Sequence, residues 1–263
     1  MGRAQAIGVF DSGVGGLTVA SALMRRLPGE SILYLGDTAR LPYGSKSPHT
    51  VARYTRRNVE FLVGRGVKAV VVACNTASAL ALDDLEAAVP VWGVVDPGAE
   101  AAVAVSKGRV GVLATESTVR SDAYGRAIRR LDPEIDVLSR SCSLFVPLVE
   151  DGWSDDPVAE VIARRYLEPL LAAGVDTLVL GCTHYPVLAP MLRRIAGPGV
   201  ELVDSAEAIA RKVARELAAA DLLASGRPQH HLCVTDIGEH FQRLARELLP
   251  DLDGALSLEW VEV

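Results

Sequence analysis

The sequence predicts an α/β protein made of two pseudo-symmetric open-sheet α/β domains. Three observations carry that expectation. Short apolar runs alternate with stretches of helical spacing, the pattern of parallel strands joined by crossover helices. Gly66-Val67-Lys68-Ala69-Val70-Val71-Val72-Ala73-Cys74 is echoed by Gly174-Val175-Asp176-Thr177-Leu178-Val179-Leu180-Gly181-Cys182, an offset of 108 from Cys74 to Cys182. The same offset carries Pro90 onto Pro198 and Val94-Val95-Asp96 onto Leu202-Val203-Asp204. Near the front of each half, Ile7-Gly8-Val9-Phe10-Asp11-Ser12 is matched by Val110-Gly111-Val112-Leu113-Ala114-Thr115 at a slightly different offset.

In chain order, strands are expected at 6–10, 31–35, 69–73 and 91–95, then at 110–114, 135–138, 177–181 and 200–203. They are short apolar runs, as buried parallel strands are. Helical spacing marks 51–64 and 157–173. The clearest helix is 205–224, where Ile209, Val213 and Leu217 recur every four residues. Asp204 and Glu207 stand at capping-box spacing before it, and Gly226 and Pro228 follow its expected end. The tail, 231–262, reads as strand, helix (239–249) and strand.

The 263 residues are 49% hydrophobic and 23% charged, ordinary globular usage that excludes disorder, collagen and coiled coil for the whole chain. A net charge of −6 argues against nucleic acid as a partner. No run approaches the ~18 apolar residues of a membrane span. Ile7-Gly8-Val9-Phe10 ends at once in Asp11, and Ala6 stands where a myristoylation signal needs Ser or Thr. A cytoplasmic protein is expected. The four cysteines (Cys74, Cys142, Cys182 and Cys233) form no C-x-x-C pair and read neither as a disulfide framework nor as a metal site. Cys142 and Cys233 read as small buried hydrophobes.

Cys74 and Cys182 read otherwise. Each follows an apolar run at the carboxyl end of a parallel strand, where open α/β sheets bind ligands. Each opens onto a polar turn, Asn75-Thr76 or Thr183-His184, and a thiol at a helix start is expected to have a lowered pKa. Two thiols on two related units suit inversion of a carbon centre, because one base removes a proton from one face while an acid returns one to the other. No lysine falls at a strand-end polar cluster, which leaves no pyridoxal site, and no cofactor is expected. Asn75, Thr76 and Thr183 are candidate donors for developing carboxylate charge, and Asp11 suits a substrate ammonium. Gly13-Val14-Gly15-Gly16 offers a rival, dinucleotide reading, but the third glycine of that fingerprint falls at Thr18. The loop reads better as backbone approaching a small anionic ligand.

Four segments resemble the motifs of the glutamate racemase family, in the family's order and almost end to end. They are Phe10–Thr18, Gly36–Gly44, Ala73–Ala77 and Leu180–Pro186. The resemblance implies a site between two domains, the second inserted into the first: 1–97 plus 208–263, and 98–207. It implies that Cys74 and Cys182 are the proton donor and acceptor, the first serving D-glutamate and the second L-glutamate. Substrate contacts are implied at Asp11, Ser12, Tyr43, Gly44, Asn75, Thr76, Thr183 and His184, with Glu150 as an acidic residue near the second cysteine. Glutamate is the implied small-molecule partner, without metal or cofactor, a homodimer is the expected assembly, and D-glutamate for peptidoglycan is the implied role. Ser117 and Asp96 stand where the family more often has Gly and Glu. An aspartate racemase of the same family and a binding protein on the same scaffold, such as one engaging DNA gyrase, stay open.

Overall fold

The computed structural model describes residues 2–249 and 256–263. The first half runs β1 (Ile7–Asp11), α1 (Leu17–Arg26), β2 (Ile32–Gly36), α2 (Pro48–Gly64), β3 (Ala69–Val72), α3 (Asn75–Ala81), β4 (Val91–Gly93) and α4 (Val95–Val105). The second runs β5 (Arg109–Ala114), α5 (Glu116–Ser121), α6 (Ala123–Leu131), β6 (Asp136–Ser141), α7 (Phe145–Glu150), α8 (Pro157–Ala172), β7 (Thr177–Gly181), α9 (Ala189–Ala196) and β8 (Glu201–Asp204). The chain closes with α10 (Ser205–Ala219), β9 (His230–Val234), α11 (Glu239–Leu248) and β10 (Leu256–Trp260).

Two parallel sheets result, ordered β10-β9-β2-β1-β3-β4 and β6-β5-β7-β8. The β2-β1-β3-β4 core of the first is the same winding as the whole of the second, so the sequence repeat is a repeat of topology. In each sheet the strand order reverses beside the leading strand, between β1 and β3 and between β5 and β7. Register places Phe10 opposite Val72 and Ala114 opposite Gly181. The residues just past these pairs, Asp11 with Cys74 and Thr115 with Cys182, therefore stand at the two switch-point crevices.

Strand alternation divides each core in two. Ile7, Val9, Ile32 and Tyr34 face Leu17, Leu23, Ile209, Val213 and Leu217 on α1 and α10. Phe10, Leu33, Leu35, Val70 and Val72 face Val51, Val59 and Leu62 on α2. The second sheet is likewise covered by α7, α8 and α9 on one face and by α4 and α6 on the other. Burial on both faces explains why the strands read as continuous apolar runs.

The predicted strands all form. Helix α2 starts three residues earlier than expected, because Ser47 accepts from the Thr50 amide and Pro48 takes the first helical position. Asp204 caps α10 by accepting from the Ala206 amide at 2.8 Å. That helix ends at Ala219, not at 224. Asp221 takes the left-handed conformation (φ 55°), and Leu222 N bonds Leu217 O at 2.9 Å, a Schellman closure with aspartate where glycine is usual. The sequence put the stop at Gly226 because the commoner left-handed residue stands there.

Candidate active site

A cavity of about 350 Å³ lies where the carboxyl ends of the two sheets meet, and both Cys74 and Cys182 line it. Cys74 is the N-cap residue of α3: its Sγ accepts from Ala77 N and donates to Ser12 Oγ, each at 3.5 Å. The expected acid shift is absent. Burial, followed by the charge of Asp11, pushes this thiol up to about 12, outweighing the Ala77 amide and Ser12. One amide at a two-turn helix does not offset full desolvation.

Cys182 has a different neighbour. His184 Nδ1 lies 3.9 Å from its Sγ, and His184 Nε2 lies 3.0 Å from Glu150 Oε1. Burial pulls the His184 imidazole down, but the bonds to Cys182 and Glu150, with their charges, more than offset it and hold the ring at about 10. Near neutrality His184 is therefore an imidazolium between a sulfur and a carboxylate, able to exchange a proton with Cys182. Glu150, at the end of α7, reaches both the cavity and the histidine.

Asp11 departs from its expected place. It is fully buried and does not line the cavity; Oδ2 accepts from Gly13 N at 3.0 Å and Oδ1 from Thr183 Oγ1 at 3.4 Å. Burial raises its pKa, and the His184 charge, the Gly13 and Gly16 amides and Thr183 only partly reverse this. Its carboxylate lies behind the wall. The other predicted contacts, Ser12, Tyr43, Gly44, Asn75, Thr76, Thr183 and His184, all line the cavity. Tyr43 is anchored from below, donating to buried Asp37 Oδ2 at 2.5 Å, so its ring forms a fixed wall.

The glycine loop serves packing more than ligand approach. A Cβ on Gly15 would lie 2.4 Å from His184 Nδ1 and 2.5 Å from Thr183 Oγ1, and one on Gly16 would lie 2.3 Å from Asp11 Cβ. Gly15 lets the first half's loop lie against the turn that carries Cys182, and Gly16 lets the same loop fold back over Asp11. Gly13 alone of the loop lines the cavity. Further bonds cross between the halves: Thr18 Oγ1 to Thr183 O at 3.0 Å, Thr76 Oγ1 with Thr115 Oγ1 at 2.9 Å, and Tyr124 OH to Asn75 Oδ1 at 2.6 Å.

A family model described as Asp/Glu/Hydantoin racemase matches residues 17–213. The glutamate racemase of Geobacter metallireducens (strain ATCC 53774 / DSM 7210 / GS-15) is 53% identical over 250 residues, 93% of each chain. The chain belongs to the glutamate racemase family. Among solved glutamate racemases, isoform RacE1 from Bacillus anthracis superposes with a TM-score of 0.94 at 39% identity, covering 99% of this chain and 98% of that one. The enzyme from Francisella tularensis, solved in complex with D-glutamate, gives 0.91 at 36% identity over the same shares.

Within this member of the glutamate racemases, the cavity also has walls that sequence reasoning did not name as contacts: Thr115, Glu116, Ser143, Val146 and Pro147. A signal for Thr115 was present, because the front-end repeat sets it opposite Ser12. Ser143, Val146 and Pro147 lie outside the four motif segments and are brought to the cavity by folding. Among the described residues no group of three or more His, Cys, Asp or Glu side chains could hold a metal ion, and no helix is long and apolar enough to cross a membrane. Cys142 and Cys233 are fully buried, as expected of core thiols.

Proposed function

We propose that this protein interconverts L- and D-glutamate by two-base proton transfer at Cα, with Cys74 and Cys182 as the bases and no cofactor. The observation that carries the reading is the pair of buried cysteines at equivalent strand ends, on the wall of one cavity between two like-wound sheets. In the L-to-D direction the Cys182 thiolate takes the Cα proton, its electron pair moves into the substrate carboxylate, and the Cys74 thiol delivers its proton to the opposite face. The high proton affinity of Cys74 suits it to rest as that donor. In reverse the roles exchange, and His184, backed by Glu150, passes protons to and from Cys182. The substrate ammonium, drawn toward buried Asp11, offsets the negative charge that pushes Cys74 up.

Among the described residues, the cavity lining holds hydroxyls, an amide, His184 and the side chains of Glu116 and Glu150, with neither arginine nor lysine. Both substrate carboxylates are thus met by preorganised neutral donors such as Ser12, Asn75, Thr76 and Thr183, and by the imidazolium. We read the chain as two domains, 1–97 plus 208–263 and 98–207, a division supported by the membership of the two sheets. A cytoplasmic supply of D-glutamate for peptidoglycan, from a homodimer, is the role that follows. Purified protein should lower the optical rotation of L-glutamate to zero after EDTA dialysis and without added pyridoxal phosphate or nucleotide. Aspartate racemised faster than glutamate, or activity that returns only with metal, would overturn the reading.

A further inference from the structure

We infer that Tyr124 is a positioning residue that orients the Asn75 amide at the wall of the substrate cavity, holding its Oδ1 and leaving its Nδ2 donor to the substrate. This rests on the proposed glutamate site. Asn75 is 2% exposed and lines the cavity; its Oδ1 is held by the Tyr124 hydroxyl, while Nδ2 is buried without a hydrogen-bond partner among the described residues. A buried amide donor without a partner is costly unless a ligand meets it. The Tyr124 hydroxyl donates to Oδ1 at 2.6 Å, and a phenol hydroxyl carries one proton to give. Turned over about Cβ–Cγ, Asn75 would present its carbonyl oxygen to an anionic substrate and repel it. The phenol therefore selects the orientation that binds a carboxylate.

The tyrosine itself has little freedom. A Cβ on Gly98 would lie 3.0 Å from the Tyr124 ring and one on Gly181 3.1 Å from it, so backbone from α4 and from the end of β7 clamps it on either side. Tyr124 belongs to α6 and Asn75 to α3, in opposite halves. The donor is thus set correctly only while the halves are in register.

D-glutamate binding by calorimetry should be measured for wild type, Tyr124→Phe, Asn75→Ala and the double variant. Loss of one buried hydrogen bond should raise Kd about tenfold in Tyr124→Phe. In the Asn75→Ala background the same change should alter Kd by less than about twofold, because the tyrosine acts through that amide. KM for both enantiomers should rise in step, with kcat within about threefold of wild type. Additive losses in the double variant, or a Tyr124→Phe Kd within twofold of wild type, would overturn the inference. So would Tyr124→Leu losing binding while Tyr124→Phe keeps it, since that outcome assigns the ring a packing role alone. A wild type that binds glutamate with this coupling but does not racemise it would refute the proposed activity and leave the positioning role standing.

Discussion

Burial and the charge of Asp11 keep Cys74 protonated well above neutrality, so its thiolate is scarce at pH 7 and grows as pH approaches about 12. Iodoacetamide labelling of the Cys74 peptide should therefore rise about tenfold per pH unit from pH 7 to 9, with glutamate protecting. Mass spectrometry showing a plateau in that range would contradict the burial argument. His184 gives a second pH signature. Its pKa in the fold, about 10, lies above the ordinary 6.5, so its stabilising contribution is complete below 6.5 and is lost as pH rises through 10. The melting-temperature gap between wild type and His184→Gln should accordingly shrink from pH 6.5 to 10; a constant gap would mean that the imidazolium is not held by Cys182 and Glu150. Removing either sulfur tests the proposed chemistry itself. Cys74→Ser and Cys182→Ser should each lower glutamate racemisation by about 10²–10⁴-fold, because a serine hydroxyl is a far weaker acid than a thiol.

The strands and loops locate these groups, and two contacts test how. Gly15 has no room for a Cβ against His184 and Thr183. Gly15→Ala should cost about a hundredfold in kcat/KM by displacing the Cys182 turn, a loss larger than its shift in melting temperature. At the opposite end of the first sheet, Lys68 and Glu30 form a fully buried pair at 2.6 Å, with Lys68 Nζ also donating to Arg3 O and Leu222 O. Lys68→Met leaves Glu30 buried without its cation and should cost about 3–5 kcal/mol in urea unfolding, while residual folded protein keeps its KM. These two contacts also mark what the sequence made legible. The glycines and cysteines announced themselves by chain-local signals, a loop after a strand and a repeated strand end. Lys68 sits inside the repeated segment, yet its partner Glu30 lies in an α1–β2 turn without periodicity, and only the fold joins them. A strand-end carboxylate such as Asp11 reads as facing the ligand, and the fold turns it inward onto Gly13 N and Thr183 Oγ1. Tyr124 is invisible for the same reason as Glu30: its hydrogen bond to Asn75 is made across the chain.

The two halves together predict an isotope pattern neither could give alone. In D₂O, with L-glutamate as substrate, deuterium should appear at Cα of the product long before it enters recovered substrate, since in the proposed two-base reaction the proton removed rests on one sulfur and the incoming one comes from the other. Equal early labelling of both enantiomers by mass spectrometry would indicate a single base. Each cysteine variant should still exchange the Cα proton of one enantiomer: Cys74→Ser of L-glutamate, and Cys182→Ser of D-glutamate. The unlike settings of the two sulfurs, one against Ser12 and a helix amide and the other against an imidazolium, carry a last consequence. Mirror-image amino acids have equal free energy, so detailed balance fixes the ratio of kcat/KM in the two directions at unity for wild type and every variant. Asymmetry between the thiols can make one enantiomer saturate the protein at a lower concentration and turn over proportionately more slowly. It cannot decide which enantiomer accumulates; that falls to whatever reaction draws one of them away.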